Sequence, residues 1–207
     1  MGYSKFKKIK QLKEKFGLSF TSVDLFADKN IAPIASSEWL NISIKRAYRT
    51  PPTNEKSKSE RIVSPILLEV LEQFNTEISF YSGEEININA KDNLAGPCDF
   101  FFTLGAPTIL FECPIVSLVE AKDEDLEWGI AQCAAQIYAA HLYNKNEGKE
   151  ISVLYGCATT GDDWQFIRFE NNIFYIDSRP TTNLQMVLGT FHKIFDFYTQ
   201  TPRYVIA

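Results

Sequence analysis

Histidine is scarce in this chain of 207 residues: His141 and His192 are the only two. That leaves little material for a histidine-based zinc site or a Ser-His-Asp triad. The four cysteines (Cys98, Cys113, Cys133 and Cys157) are scattered through apolar segments with no C-x-x-C pair. They read as buried reduced thiols rather than zinc ligands or disulfides, as in a cytoplasmic protein. No stretch of eighteen apolar residues occurs and no secretory leader opens the chain, so a soluble, non-exported protein with no membrane partner is expected. A P-loop G-x-x-x-x-G-K-[ST] is also missing, which disfavours a nucleotide hydrolase of that type. There is no internal repeat and no low-complexity tract.

The balance of 21 basic against 26 acidic residues gives a net charge of −5. This counts mildly against nucleic-acid binding, although phosphate contact depends on a local basic patch rather than the global sum. Two such patches are present. Lys5, Lys7, Lys8, Lys10, Lys13 and Lys15 crowd into SKFKKIKQLKEKF, where Phe6, Ile9, Leu12 and Phe16 mark the apolar stripe of an amphipathic helix with Gly17 as its stop. A solvated surface helix explains that segment as well as nucleic-acid contact does. Lys45, Arg46 and Arg49 form the second cluster, in a region from Ser19 to Thr50 that reads as mixed helix and loop. Pro51 and Pro52 open a polar stretch that marks a linker. The expected organisation is therefore an N-terminal helical arm, 1–50, and a core domain, 51–207. The 45% apolar content is enough for a core.

From about Lys56 the sequence SERIVSPILLEVLEQF has the periodicity of a core helix, interrupted by Pro65. Strand patterns follow at 77–81 and 85–89, and Asn93 to Pro97 supplies a turn. Asp99 then precedes the apolar run Phe100 to Phe102. Pro114 to Ala121 is almost uninterrupted apolar, as in a strand covered on both faces, and it ends in Glu120-Ala121-Lys122. Glu120 and Lys122 are two apart and so project to one side of a strand. If the two strands pair, Asp99 reaches Glu120, and two carboxylates held together repel unless a cation separates them. A hard ion such as Mg²⁺ or Mn²⁺ suits that oxygen set. The next segment, LEWGIAQCAAQIYAAHLY, is an apolar helix carrying Gln132 and Gln136 one turn apart. Beyond it lie a strand, ISVLYGCATTG, a hairpin turning at Glu170-Asn171-Asn172, and a last helix. That helix either closes the domain or forms a homodimer contact. Thr159, Thr160, Gly161 and Trp164 could border a cleft, though such a Trp is more often core.

A strand-initial Asp, a buried strand ending in E-A-K and a following helix with Q-x-x-x-Q together resemble the PD-(D/E)xK nuclease superfamily. The resemblance covers about Ser59 to Asp177. Pro-Cys-Asp stands where the family name has Pro-Asp, which weakens the motif and keeps its acid. Small stand-alone bacterial proteins of this fold look similar in the helix W-x-x-x-A-Q-C and in the later Y-G-x-x-T-T-G-x-x-W. The resemblance implies an α/β restriction-endonuclease-like core, with a central mixed sheet flanked by helices, acting as a Mg²⁺- or Mn²⁺-dependent nuclease on DNA. Asp99, Glu120 and the Ala121 carbonyl would ligate the metal, Lys122 would position the attacking water, and Gln136 would orient the site. A glutamate from the first core helix would support it. Of Glu55, Glu60 and Glu69, Glu60 is preferred because it precedes the apolar run, and each suits a cap or surface position equally well. Gln132 with Lys45, Arg46 and Arg49 would contact nucleic acid. The competing expectation is a catalytically silent module of the same fold that binds nucleic acid or a protein partner, since E-x-K on its own is commonly a solvated pair.

Overall fold

A computed structural model describes residues 2–27, 30–74 and 77–200. After a 3-10 turn, Tyr3–Lys5, the order is α1 (Ile9–Phe16), β1 (Ser19–Val23), α2 (Glu38–Ala47), α3 (Glu55–Lys58) and α4 (Ser64–Glu72). It continues with β2 (Ile78–Ser82), β3 (Glu85–Asn89), β4 (Leu94–Pro97), β5 (Phe100–Leu104), β6 (Ile115–Ala121) and α5 (Leu126–Asn146). The chain then runs through β7 (Val153–Thr159), β8 (Trp164–Glu170), β9 (Ile173–Asp177) and α6 (Leu184–Gln200). Among the described residues, no helix is long and apolar enough to cross a membrane.

Seven strands form one mixed sheet in the order β1-β9-β8-β7-β6-β5-β2, while β3 and β4 pair as a separate hairpin. The pairs β1/β9 and β6/β7 are parallel and the other neighbours antiparallel. Helices cover both faces, which makes the protein α/β in class. One apolar cluster joins α2, α4 and α6 to the sheet through Leu40, Leu67, Phe102, Phe166 and Phe191. The other joins α1 and α5 through Leu12, Phe101, Leu118, Ile137 and Phe174. β6 lies in the middle of this sandwich with all seven residues buried, as its unbroken apolar run requires. The apolar side of α6 is buried within the chain, where Phe191 and Phe195 meet Phe166 and Phe102. Cys98, Cys133 and Cys157 are buried free thiols.

The first fifty residues do not form a purely helical arm. Ser19–Val23 is an edge strand in register with Ile173–Asp177, and Tyr3, Phe6, Leu12 and Leu18 belong to the α5-side core. The predicted helix over the lysine segment begins only at Ile9, after the 3-10 turn, and ends as expected at Gly17, whose φ of 68° is left-handed. Pro65 does not break the core helix. Five residues before it, Ser59–Val63, widen to i→i−5 bonding, and Ser64 N–H donates to Ser59 O. Pro65, which has no N–H, then enters in the first turn of α4.

α5 is fixed to β6 at both ends of their contact. Asn144, fully buried, accepts from Ile115 N–H (2.9 Å) and donates to Ile115 O (2.7 Å), and Gln136 bonds Glu120 a few turns earlier. The helix also lies close on β7: a Cβ at Gly156 would stand 2.6 Å from Ile137 Cδ1. Small residues on α5 and a glycine on β7 set this distance, and the distance brings glutamine to glutamate.

Candidate active site: a buried Asp-Glu-Lys centre

Asp99 and Glu120 meet because β5 and β6 are antiparallel with Phe100 opposite Val119. Asp99 Oδ2 accepts from Ala121 N–H at 2.9 Å. Ala121, expected through its carbonyl, thus meets Asp99 through its N–H. Glu120 has no solvent exposure at all. Its Oε1 accepts from Lys122 Nζ at 2.6 Å and its Oε2 from Gln136 Nε2 at 2.7 Å. Lys122 is 5% exposed and also pairs with Glu55 Oε2 at 3.3 Å. Its backbone N–H donates to Thr159 O at 2.8 Å, which continues the β6/β7 ladder to the end of the site.

The sequence was expected to bring Asp99, Glu120, Lys122 and Gln136 together; Glu120, Lys122 and Gln136 are bonded to one another, and Asp99 joins them through the Ala121 N–H. The helical glutamate differs. Glu55 reaches the lysine, whereas the Glu60 side chain is 62% exposed and pairs with Lys56 one turn away. Glu55 opens α3 while Glu60 lies in the widened segment Ser59–Val63, so a helix that aims Glu55 at the sheet aims Glu60 elsewhere. Lys58 holds this helix in place by donating to Asp123 O (2.5 Å) and pairing with Asp123 Oδ1 (2.9 Å). Glu69 holds Ser37, the N-cap of α2, accepting from its N–H and its Oγ, both at 2.6 Å. Three substitutions are therefore expected to separate. Glu69→Ala should lower stability in a urea melt by about 1–3 kcal/mol, because it strips two hydrogen bonds from a helix start. Glu55→Ala should lower the Lys122 pKa in an NMR titration with little change in the melt, because it removes one of the carboxylates that raise it, and Glu60→Ala should change neither.

Gln132 lies one turn before Gln136, buried, with Oε1 lacking a partner among the described residues, and no hydrogen bond links it to the carboxylates. Lys45, Arg46 and Arg49 follow α2 to its end, and among the described residues no carboxylate lies within ion-pair distance of them. Arg46 lines a small depression with Arg61, which bonds the Ala47 and Thr50 carbonyls. Trp164 is core: it is 2% exposed, its Nε1–H donates to Gly161 O, and its ring meets Phe191 edge-on. Three contributors escaped the sequence reading. Asn144 clamps α5. Trp128 presents its ring to Lys122 Nζ at 5.2 Å, and Gly129 leaves room for the lysine stem, since a Cβ there would lie 3.1 Å from Lys122 Cγ. An aromatic residue and a glycine in the first turn after E-x-K were the available signal.

Burial raises the Glu120 pKa to about 8 from 4.5, and the Asp99 charge adds to the rise; Lys122 and Gln136 only partly oppose it. Asp99 is raised too, again mainly by burial, against the Ala121 N–H and Lys122. Burial works against the charge on Lys122, but Glu120, Glu55 and Asp99 outweigh it and hold the ammonium's pKa above its ordinary value. The centre thus carries carboxylates short of positive charge beside a lysine that stays protonated.

Two nearby carboxylates with raised pKa values are an oxygen donor set that a hard cation would relieve. Gln136 Oε1 adds a buried acceptor with no partner among the described residues. Among those residues, no three His, Cys, Asp or Glu side chains are grouped as a ready-made cage. One or two carboxylates, with water and phosphate oxygens, are what Mg²⁺ ordinarily takes, so the residues fit the ion.

Fold and site together define an α/β protein with a buried Asp-Glu-Lys centre at the shared end of the paired strands β5 and β6. The chain matches no protein-family model, and no curated protein matches its sequence.

Proposed function

We propose that the protein is a divalent-metal-dependent nuclease of the PD-(D/E)xK type, with a restriction-endonuclease-like core, that hydrolyses DNA phosphodiester bonds. The observation that carries this reading is the fully buried Glu120, bonded on one oxygen by Lys122 and on the other by Gln136, with Asp99 across the strand pair. The order of α4, the antiparallel strands β2, β5 and β6, then α5 and β7 supports it.

Asp99 and Glu120 would hold the ion, and Gln136 fixes the Glu120 carboxylate by bonding Oε2. A bound Mg²⁺ or Mn²⁺ supplies Lewis acidity and a lowered pKa for water. Lys122 contributes fixed positive charge rather than a base, because its neighbours keep the ammonium protonated. That charge stabilises the negative oxygens of a phosphoryl group under attack. Glu55 and the Trp128 ring hold the ammonium at that point. Burial of the centre strengthens each of these interactions.

A second reading has its own observation. Both Glu120 oxygens are already bonded within the chain, a closed network that would also serve a silent module binding a protein partner. Mn²⁺ titration by calorimetry, beside plasmid cleavage, decides between them. Wild type is expected to bind the ion and cut, and Asp99→Ala to lose both. A folded wild type that binds no Mn²⁺ would leave the module reading standing.

A further inference from the structure

Lys7 and Lys122 lie far apart in sequence, yet both ammoniums sit over the Trp128 ring, each 5.2 Å from its centroid. Lys7 is held there by its neighbours. Tyr3 is buried and its hydroxyl donates to Ile86 O at 2.5 Å. Phe6 is buried against Phe16, which in turn packs on Tyr138 of α5. The Lys7 backbone N–H donates to Gln11 Oε1 at 2.7 Å. The side chain itself is exposed, and among the described residues no carboxylate lies within ion-pair distance of it.

Trp128 Nε1 is buried and has no acceptor among the described residues. Acids also stand at this helix start. Asp125 caps α5 by accepting from Trp128 N–H, Asp123 pairs with Lys58, and Glu124 and Glu127 are exposed. Without Lys7 this rim would repel a phosphate.

We propose that Lys7 and Trp128 form a second phosphate-binding subsite, which takes the sugar-phosphate backbone of a nucleic-acid strand beside the phosphate that Lys122 faces. This rests on the nuclease reading and makes the N-terminal turn part of the substrate face. The two ammoniums are at most about 10 Å apart, the axial span of roughly three nucleotides of one strand at about 3.4 Å each. The subsite therefore engages a phosphate one to three nucleotides from the bond that is cut.

The test is the salt dependence of binding to a labelled DNA duplex, with Ca²⁺ present to neutralise the carboxylates. It compares wild type, Lys7→Ala, Trp128→Phe and, as control, Lys10→Ala, whose lysine pairs with Glu14 on the exposed side of α1. Each phosphate contact contributes about 0.9 to the slope of log K against log salt. Lys7→Ala is expected to lose about that much, Trp128→Phe to weaken binding, and Lys10→Ala to keep the wild-type slope. An unchanged slope in Lys7→Ala, or an equal loss in Lys10→Ala, overturns the subsite and leaves the nuclease reading intact. Wild type that binds Mn²⁺ but no DNA overturns both the subsite and the proposed substrate.

Discussion

Glu120→Gln is expected to abolish divalent-ion binding while leaving the fold at least as stable at pH 8. The substitution keeps the shape and removes the charge. Its new amide nitrogen can face Gln136, which can turn its own amide to offer the Oε1 that lacks a partner in the wild type. The two side chains thus stay bonded without a buried carboxylate, and Gln136 Nε2 takes the place of the unpartnered Oε1. Loss of a ligand should lower Mn²⁺ affinity by on the order of a hundredfold or more, since even groups that only support metal ligands cost up to about that much. The pH behaviour follows from the raised pKa. Between 4.5 and about 8, folded Glu120 holds its proton while the unfolded side chain has released it. The folded state binds more protons there, so this residue's contribution to stability falls as pH rises through that window and is fully lost above it. Urea melts from pH 4 to 9 should show that decline in wild type and a flatter profile in Glu120→Gln. Calorimetry at pH 7 in buffers of different ionisation enthalpy should find about one proton released per ion bound to wild type.

Lys122→Met is expected to slow cleavage by about 10²–10³-fold, the range for removing one group that stabilises charge in the transition state. Methionine retains much of the stem that packs on Gly129 but offers nothing to Glu120 Oε1 or to the phosphate. Breaking a buried pair costs about 3–5 kcal/mol when the remaining charge is uncompensated. Here Glu120 can escape part of that cost by taking up a proton, because loss of the ammonium raises its pKa further. The variant should therefore melt close to wild type at pH 6 and well below it at pH 9. Single-turnover cleavage measured where both proteins are folded separates the catalytic loss from the stability loss. A variant that cleaves at the wild-type rate would rule the lysine out of the chemistry.

Much of the centre was legible because its signals are local. A strand covered on both faces shows as the apolar run that became β6, and the side-chain period of two put Glu120 and Lys122 together. Helical spacing put Gln132 and Gln136 on one face, and the choice of Gln136, which bonds Glu120, came from the resemblance. β1 was not. It is a short edge strand whose side chains do not alternate in burial, and its partner β9 lies 154 residues further on, so nothing near Ser19 announces it. The glutamate of the first core helix failed for a different reason. Which turn abuts the strand ends depends on how α3 docks through Lys58 and Asp123, and the widened turn at Ser59–Val63 breaks the 3.6-residue phase that spacing arguments assume. Lys7 was legible as part of a basic patch, but its approach to Trp128 was not, because that comes from tertiary anchoring by Tyr3 and Phe6.

The parallel pairing of β1 with β9 also fixes an order of events during synthesis. At about 5–20 residues per second, Ser19–Val23 leaves the ribosome roughly 8–30 s before Ile173–Asp177 exists to receive it. The elements that carry Asp99, Glu120, Lys122 and Gln136 fall within one stretch from Asp99 to Asn146 and can associate in that interval. Nascent chains halted after β7, whose Gly156 seats α5, would thus hold the carboxylate centre while the sheet edge that completes the N-terminal side still waits for its partner.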